Sequence, residues 1–171
     1  MIICEVTIED VYELQKISKQ TFEETFSHSN TEENLKQYLR ENLSVDKLIK
    51  ELSNSNSLFY FAIDNNHICG YLKLNLGKAQ TEINDDKGLE IERIYVLKEY
   101  LGKKVGQLLF TKALAIAHEK HLEYIWLGVW EENQRAITFY KKNGFIEFDK
   151  HIFKFGNEEQ TDIMMKFQLK K

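Results

Sequence analysis

The sequence has no proline, only two cysteines and only eight glycines among 171 residues. The absence of proline excludes collagen-like and polyproline segments, so turns must be built from Asn, Asp, Ser and the few Gly. Cys4 and Cys69 lie far apart and match neither a zinc-ligand spacing nor a redox pair, so both are read as reduced thiols. No apolar run approaches the roughly 20 residues that cross a bilayer. The most continuous one, Tyr124 to Trp130, has the length of a buried strand. The opening MIICEVTIED lacks a basic region followed by an apolar run, so no export signal is expected. Neither sign of charge dominates, since 23 basic against 27 acidic residues leave a formal charge of −4. That balance disfavours nucleic acid and tolerates a cationic small molecule. A cytoplasmic protein with no membrane or nucleic-acid partner is expected, and a homodimer is left open.

With 43% hydrophobic and 29% charged residues the chain can bury an ordinary globular core. No repeat, low-complexity stretch or Gly/Ser linker divides it, so residues 1–171 are expected to form a single domain. IICEV near the start reads as a strand, and Thr7 with Asp10 as a capping pair for an amphipathic helix through Val11, Leu14, Ile17 and Phe22. Thr31 and Ser44 cap one or two further short helices. LFYFAI, a polar Asp64-Asn65-Asn66 turn and HICGYLKLNL read as an antiparallel hairpin, followed by a loop, QTEINDDKG. LEIERIYV is a strand, and Val105, Leu108, Leu109, Ala113, Ile116 and Ala117 mark one face of a helix. After the strand at Tyr124, a helix over Asn133 to Asn143 stops at Gly144, and FIEF and TDIMMKFQL supply two closing strands. Hairpins first and strand–helix–strand crossovers later predict a mixed α/β (α+β) sheet with helices on both faces.

Two segments carry chemistry. Between the strand ending at Val96 and the helix opening near Val105, Gly102 and Gly106 bracket Lys103 and Lys104. The first N–H groups of a helix lack internal partners and its dipole adds partial positive charge, so a pyrophosphate would fit there. The segment has neither a Walker loop nor the three-glycine dinucleotide fingerprint, and a basic turn capping an ordinary helix is the competing reading. Further on, in ENQRAITFYKKNGF, Asn133, Ile137 and Tyr140 share one helical face and present an amide and a phenol together. Asn133 as a simple N-cap and Tyr140 as a core aromatic are the alternatives.

RIYVLKEYLGKKVGQLL and WLGVWEENQRAITFYKKNGF together resemble the pyrophosphate motif and the following strand–helix motif of the GCN5-related N-acetyltransferase family. The resemblance extends over the whole chain in the order of elements. TFEETFSH, GYLKLN, LEIERIYV, WLGVWEEN and HIFKFGNEEQTDIMM are most similar to PaiA-type spermidine/spermine N-acetyltransferases. The family's Gln/Arg-x-x-Gly-x-Gly/Ala pattern is met here at Gly106, while Leu101 replaces the Gln/Arg and Lys104 the first Gly.

The resemblance implies an acyl-CoA N-acyltransferase fold with a mostly antiparallel sheet of about seven strands, and acetyl-CoA as cosubstrate without a metal. It further implies direct transfer to a primary amine such as spermidine or spermine in a ternary complex. A protein N-terminal or lysine acetyltransferase and a non-catalytic acyl-CoA-binding regulator are the alternatives. An alkylammonium with a pKa of about 10.4 is nearly all protonated at neutral pH, a deficit of about 4.6 kcal/mol, so a proton acceptor is needed.

By resemblance that acceptor is a carboxylate on the strand before the phosphate loop, with Glu92 the first choice. Glu90 shares its face, where burial and like charge would raise a pKa. Surface carboxylates paired with Arg93 or lysines are the alternative. Tyr140 is the implied acid for the leaving thiolate. Backbone at Ile94 and Val96, with a local strand splay, would hold the pantetheine arm. Amides of Leu101, Gly102, Lys103, Lys104, Val105 and Gly106 would hold the pyrophosphate, with Asn133 and Lys142 as further cofactor contacts. For Lys142 a solvated helix face competes. Glu24 and Glu90 are implied amine-binding carboxylates, drawn from a wider set that includes Glu23, Glu82, Asp85 and Asp86. Trp126 and Trp130 read as core, and His118 with His121 as complements to a helix end rather than a metal pair.

Overall fold

The three- and four-residue spacing from Val105 to Ala117 buries one face of a helix against a seven-stranded sheet in the computed structural model, which describes residues 1–170. The strands are β1 (Ile2–Glu5), β2 (Ser57–Asp64), β3 (His67–Leu76), β4 (Gly88–Val96), β5 (Tyr124–Trp130), β6 (Ile146–Phe155) and β7 (Glu158–Gln168). The helices are α1 (Val11–Phe26), α2 (Glu32–Asn42), α3 (Val45–Leu52), α4 (Val105–Glu119) and α5 (Gln134–Lys142). The sheet order is β1-β2-β3-β4-β5-β7-β6, antiparallel except for β4 against β5. That parallel pair is joined by the α4 crossover, which returns the chain to the same end of the sheet.

Two cores lie on opposite faces. Leu72, Leu74, Leu89, Ile91, Ile125 and Leu127 meet Leu109, Phe110 and Ala113 of α4 and Ile137 and Tyr140 of α5. On the other face Phe59, Phe61 and Tyr71 meet Leu14, Ile17 and Phe22 of α1 and Leu48 of α3. Leu109 is fully buried, so truncating it to Ala would cost about 2–5 kcal/mol.

The caps read from sequence are in place. The Asn34 amide donates to Thr31 Oγ1 at 3.1 Å and the Lys47 amide to Ser44 Oγ at 3.2 Å, so two separate helices form there. Gly144 adopts φ +100°, and the Phe145 amide donates to the Tyr140 carbonyl at 3.0 Å, closing α5. One strand is longer than FIEF suggests. β6 runs to Phe155 as an edge strand whose polar run Asp149, Lys150 and His151 interrupts the alternation and hides its β character, while its charges protect the open edge. Its far end returns to the second core, where the Phe155 ring stacks on Tyr38 at 5.3 Å and on Phe22 at 5.5 Å. Among the described residues no helix is long and apolar enough to cross a membrane.

Candidate active site

β4 stays paired with β3 as far as Val96, opposite Gly70, but with β5 only from Gly88 to Ile91, opposite Tyr124 to Leu127. Beyond those pairs the two strands part, and β4 presents a one-sided row of backbone groups from Glu92 to Val96. Into this wedge opens a cavity of about 1110 Å³, lined by β4, the α4 and α5 termini, the end of α1 and β7. A polar backbone row beside an elongated cavity suits an extended amide-bearing arm such as pantetheine. Ile94 and Val96, singled out from the sequence, both lie on it.

A β-bulge sits at the mouth of the wedge. Lys73 faces Arg93 and Leu74 faces Ile91, so Glu92 is the extra residue of β4. The bulge breaks the alternation, and Glu92 and Arg93 consequently share the buried polar cluster on the α1–α3 side. Arg93 donates to both carboxylate oxygens of Glu51 at 2.9 Å, and Lys73 Nζ stands 3.3 Å from Glu51 and pairs with Glu92. Asn75 Nδ2 donates to Glu92 at 2.8 Å and to Glu90 at 2.9 Å, bridging the two carboxylates. Lys73, Asn75 and Glu51 were not singled out from the sequence. The signal was the period-2 polar interruption of an apolar strand in YLKLNL.

This cluster corrects one expectation. Burial pushes Glu92 upward, but the charges of Arg93 and Lys73 and their hydrogen bonds outweigh it, leaving its pKa below the usual carboxylate value. The expected rise occurs at Glu90 instead, where burial dominates over donors from Asn75 and Thr81. Glu24 lines the cavity too, but its carboxylate already accepts from the Lys98 amide at 2.8 Å and ties α1 to the loop after β4.

At the head of α4, Lys104 is the N-cap residue with φ +65°, and no side chain caps this end. The family's glycine position is thus occupied by a lysine held in the left-handed region. Gly102 also has positive φ, +80°, and nothing stands within 4 Å of where its Cβ would be. The six-residue amide cradle needs correction, because the Leu101 amide donates to the Lys98 carbonyl and the Lys103 amide to that of Tyr100, each at 3.2 Å. Gly102, Lys104, Val105 and Gly106 remain at the cavity as backbone donors that no carbonyl or side chain is shown to occupy. Lys103 is turned away, its ammonium lying 4.8 Å over the Tyr100 ring.

On α5, Asn133 Oδ1 accepts from the Ala136 amide at 3.3 Å, so it caps the helix as the alternative reading held, and it also lines the cavity. Tyr140 lies one helical face along from it, buried against Phe145, and burial raises its pKa. Its phenol therefore stays neutral and able to donate across the neutral range. Lys142 is exposed and outside the cavity, so a cofactor contact there is not supported by the geometry. Both tryptophans touch the cavity: Trp126 is buried and donates to Gln80 at 2.6 Å, and Trp130 is only partly buried beside Phe26. Asp162 on β7 and His151 on β6 also line the cavity and were missed from the sequence, since only long-range pairing of the closing hairpin brings them there. Neither Cys4 nor Cys69 lies at the cavity.

The geometry is that of a site for an extended acyl-carrier substrate, and comparisons with known proteins agree with it. The sequence profile of the Acetyltransferase (GNAT) family matches residues 11–145. The chain is 38% identical over 164 residues to an uncharacterised N-acetyltransferase of Lactobacillus delbrueckii subsp. lactis, covering 96% of this chain and 95% of that protein. It is 29% identical to a spermidine N(1)-acetyltransferase of Thermoplasma acidophilum, over 84% of this chain and 86% of that one. The crystal structure of a PaiA N-acetyltransferase from Thermoplasma acidophilum in complex with coenzyme A superposes with a TM-score of 0.81, at 26% identity and over 98% of each chain. The wedge, the free helix terminus and these likenesses lead to one conclusion: the chain belongs to the GNAT family and is an acetyl-CoA-dependent N-acetyltransferase.

Proposed function

We propose that the acceptor is a primary alkylamine of the polyamine class, spermidine or spermine, acetylated by direct attack within a ternary complex. The observation that carries this reading is the set of carboxylates on the cavity wall, Glu82, Glu90, Glu92 and Asp162, which suits a flexible polycation. The relative named for spermidine N(1)-acetylation points the same way. Acetyl-CoA supplies an acetyl group already activated as a thioester. For the residues of this chain, the wedge-side backbone at Ile94 and Val96 and the free amides of α4 hold the carrier. Tyr140, neutral at physiological pH, donates a proton where the thiolate departs. Glu92, held ionised by Lys73 and Arg93, is a weak proton acceptor and stays committed to that buried cluster. With both cysteines away from the cavity, no acyl-thiol intermediate on the protein is invoked.

An amine panel read by coenzyme A release tests the proposal. Spermidine and spermine are expected to give the highest kcat/KM. Turnover confined to monoamines or to peptides would defeat the polyamine class while leaving the acetyltransferase in place.

A further inference from the structure

The cavity lining offers six carboxylates to an incoming amine, and among the described residues all but the exposed Glu132, just ahead of α5, and the partly buried Asp162 are already engaged. Glu90 accepts from Asn75 and from the backbone and hydroxyl of Thr81. Glu92 accepts from Asn75 and pairs with Lys73 and Arg93. Glu24 accepts from the Lys98 amide and from Gln20. Glu82 pairs with His151 Nε2 at 3.0 Å. Among the described residues no hydrogen bond or ion pair reaches the carboxylate of Asp162, although it is partly buried.

Its position is as distinctive as its lack of partners. Asp162 faces Trp130 on β5 and His151 on β6. Its Oδ2 lies 3.5 Å from where a Cβ would stand on Gly128, so the carboxylate packs over that glycine. Gly128 is the first β5 residue beyond the last pair with β4, and Glu92 is its counterpart on the other lip. Asp162 therefore stands at the apex of the wedge, where the reactive end of a long carrier threaded along β4 would arrive. We propose that Asp162 is a further catalytic residue, the group that takes the proton from the acceptor ammonium. This assignment rests on the amine-acceptor reading given above.

The step balances without any additional reagent. A proton passes from the acceptor nitrogen to Asp162, the freed lone pair forms the C–N bond at the thioester carbonyl, and the C–S bond breaks. The sulfur takes a proton from Tyr140, the acylated nitrogen sheds its second proton and so restores the phenol through solvent, and Asp162 returns its own, so one turnover releases one proton. Burial lifts the pKa of Asp162 to about 6, partly offset by the positive charge of His151. Against an amine at about 10.4 this narrows the mismatch by about two units relative to an ordinary aspartate. The other charged or titratable groups sharing the cavity with it are Glu24 of α1 and His28 after it, Glu82 from the loop before β4, Glu90, Glu92 and Arg93 of β4, Lys98 and Lys104 between β4 and α4, Glu132 and Arg135 at the head of α5, and His151 of β6. Only His151 among these contributes resolvably to its titration.

The test compares wild type, Asp162→Asn and His151→Gln by coenzyme A release from pH 5 to 9, with an amine that the wild type turns over. Wild-type kcat/KM should rise with pH through a limb near 6. Asp162→Asn should lose about 100-fold or more in kcat/KM and lose that limb, while calorimetric affinity for coenzyme A stays within about twofold. His151→Gln should move the limb to higher pH whatever it does to the plateau rate, because a charge that lowers the pKa of Asp162 is gone; this variant decides the matter if Asp162→Asn fails to fold. An Asp162→Asn enzyme with unchanged rate and profile, or a limb that His151→Gln leaves in place, overturns the assignment and spares the acceptor reading. A wild type inert towards every amine sinks both.

Discussion

Lys73 is the residue whose removal tests the buried ionic cluster most sharply. Its side chain is 6% exposed and it serves two carboxylates, Glu51 and Glu92, while Arg93 serves the same pair. Two cations thus balance two anions, and Lys73→Met leaves one carboxylate in excess in a largely buried place. Breaking a buried pair by deleting one partner costs about 3–5 kcal/mol. A Coulomb estimate for one contact at 3.3 Å with an effective dielectric near 20 gives about 5 kcal/mol before solvation is counted, the same order.

A protein of this size has roughly 5–15 kcal/mol of stability in all, so the variant should lose a large part of it. Its Tm should fall by about 6–20 °C. Urea unfolding at neutral pH, followed by the fluorescence of Trp126 and Trp130, measures the loss. The sign with pH is fixed as well. The folded pKa of Glu92 is depressed, so its contribution is fully present above the unfolded value and disappears as pH falls through the folded one. The gap between wild type and Lys73→Met should therefore narrow in acid. Lys73→Met combined with Glu92→Gln, which removes the surplus charge, should recover about half of the loss or more. A cost below about 1 kcal/mol for Lys73→Met, or a double variant no better than the single one, would refute the account.

Three further outcomes are expected. Tyr140→Phe should retain coenzyme A affinity by calorimetry and lose about 100-fold in kcat, and an unchanged kcat would remove the phenol from the chemistry. Lys104→Gly, which relieves a left-handed lysine at φ +65°, should raise stability by about 1 kcal/mol whereas Lys104→Ala should not; equal thermal shifts for the two would show that backbone strain is not the cause. Alkylating the partly exposed Cys4 should leave coenzyme A release unchanged, and loss of turnover with the fold intact by circular dichroism would argue for a protein thiol in the reaction.

Elements whose signal is local were legible in the sequence. The caps at Thr31 and Ser44, the glycine that closes α5 and the apolar stripe of α4 each arise from residues within a few positions of one another. So were the two helices that flank the wedge, since the motifs at Leu101–Gly106 and Asn133–Tyr140 each sit on a single strand–helix junction, whereas the splay itself came only with the family resemblance. What escaped depends on register. One residue of bulge at Glu92 turns Glu92 and Arg93 to the same side, and no periodicity announces it. That slip decides the ionisation of Glu92, because it delivers the carboxylate to Lys73 and Asn75. Asp162 and His151 escaped for a related reason: their place at the cavity follows from the pairing of β6 with β7 and of β7 with β5, between segments that are remote in sequence.

The parting of β4 from β5 makes the sheet, in effect, two ladders hinged on four rungs, Gly88 to Ile91 against Tyr124 to Leu127. One half carries β1 to β4 and the other β5 to β7, and few backbone bonds resist a small change in the angle between them. A guest whose own amides lie along the unpaired row of β4 supplies rungs that the sheet lacks there, and its binding adds to the stability of the loaded protein.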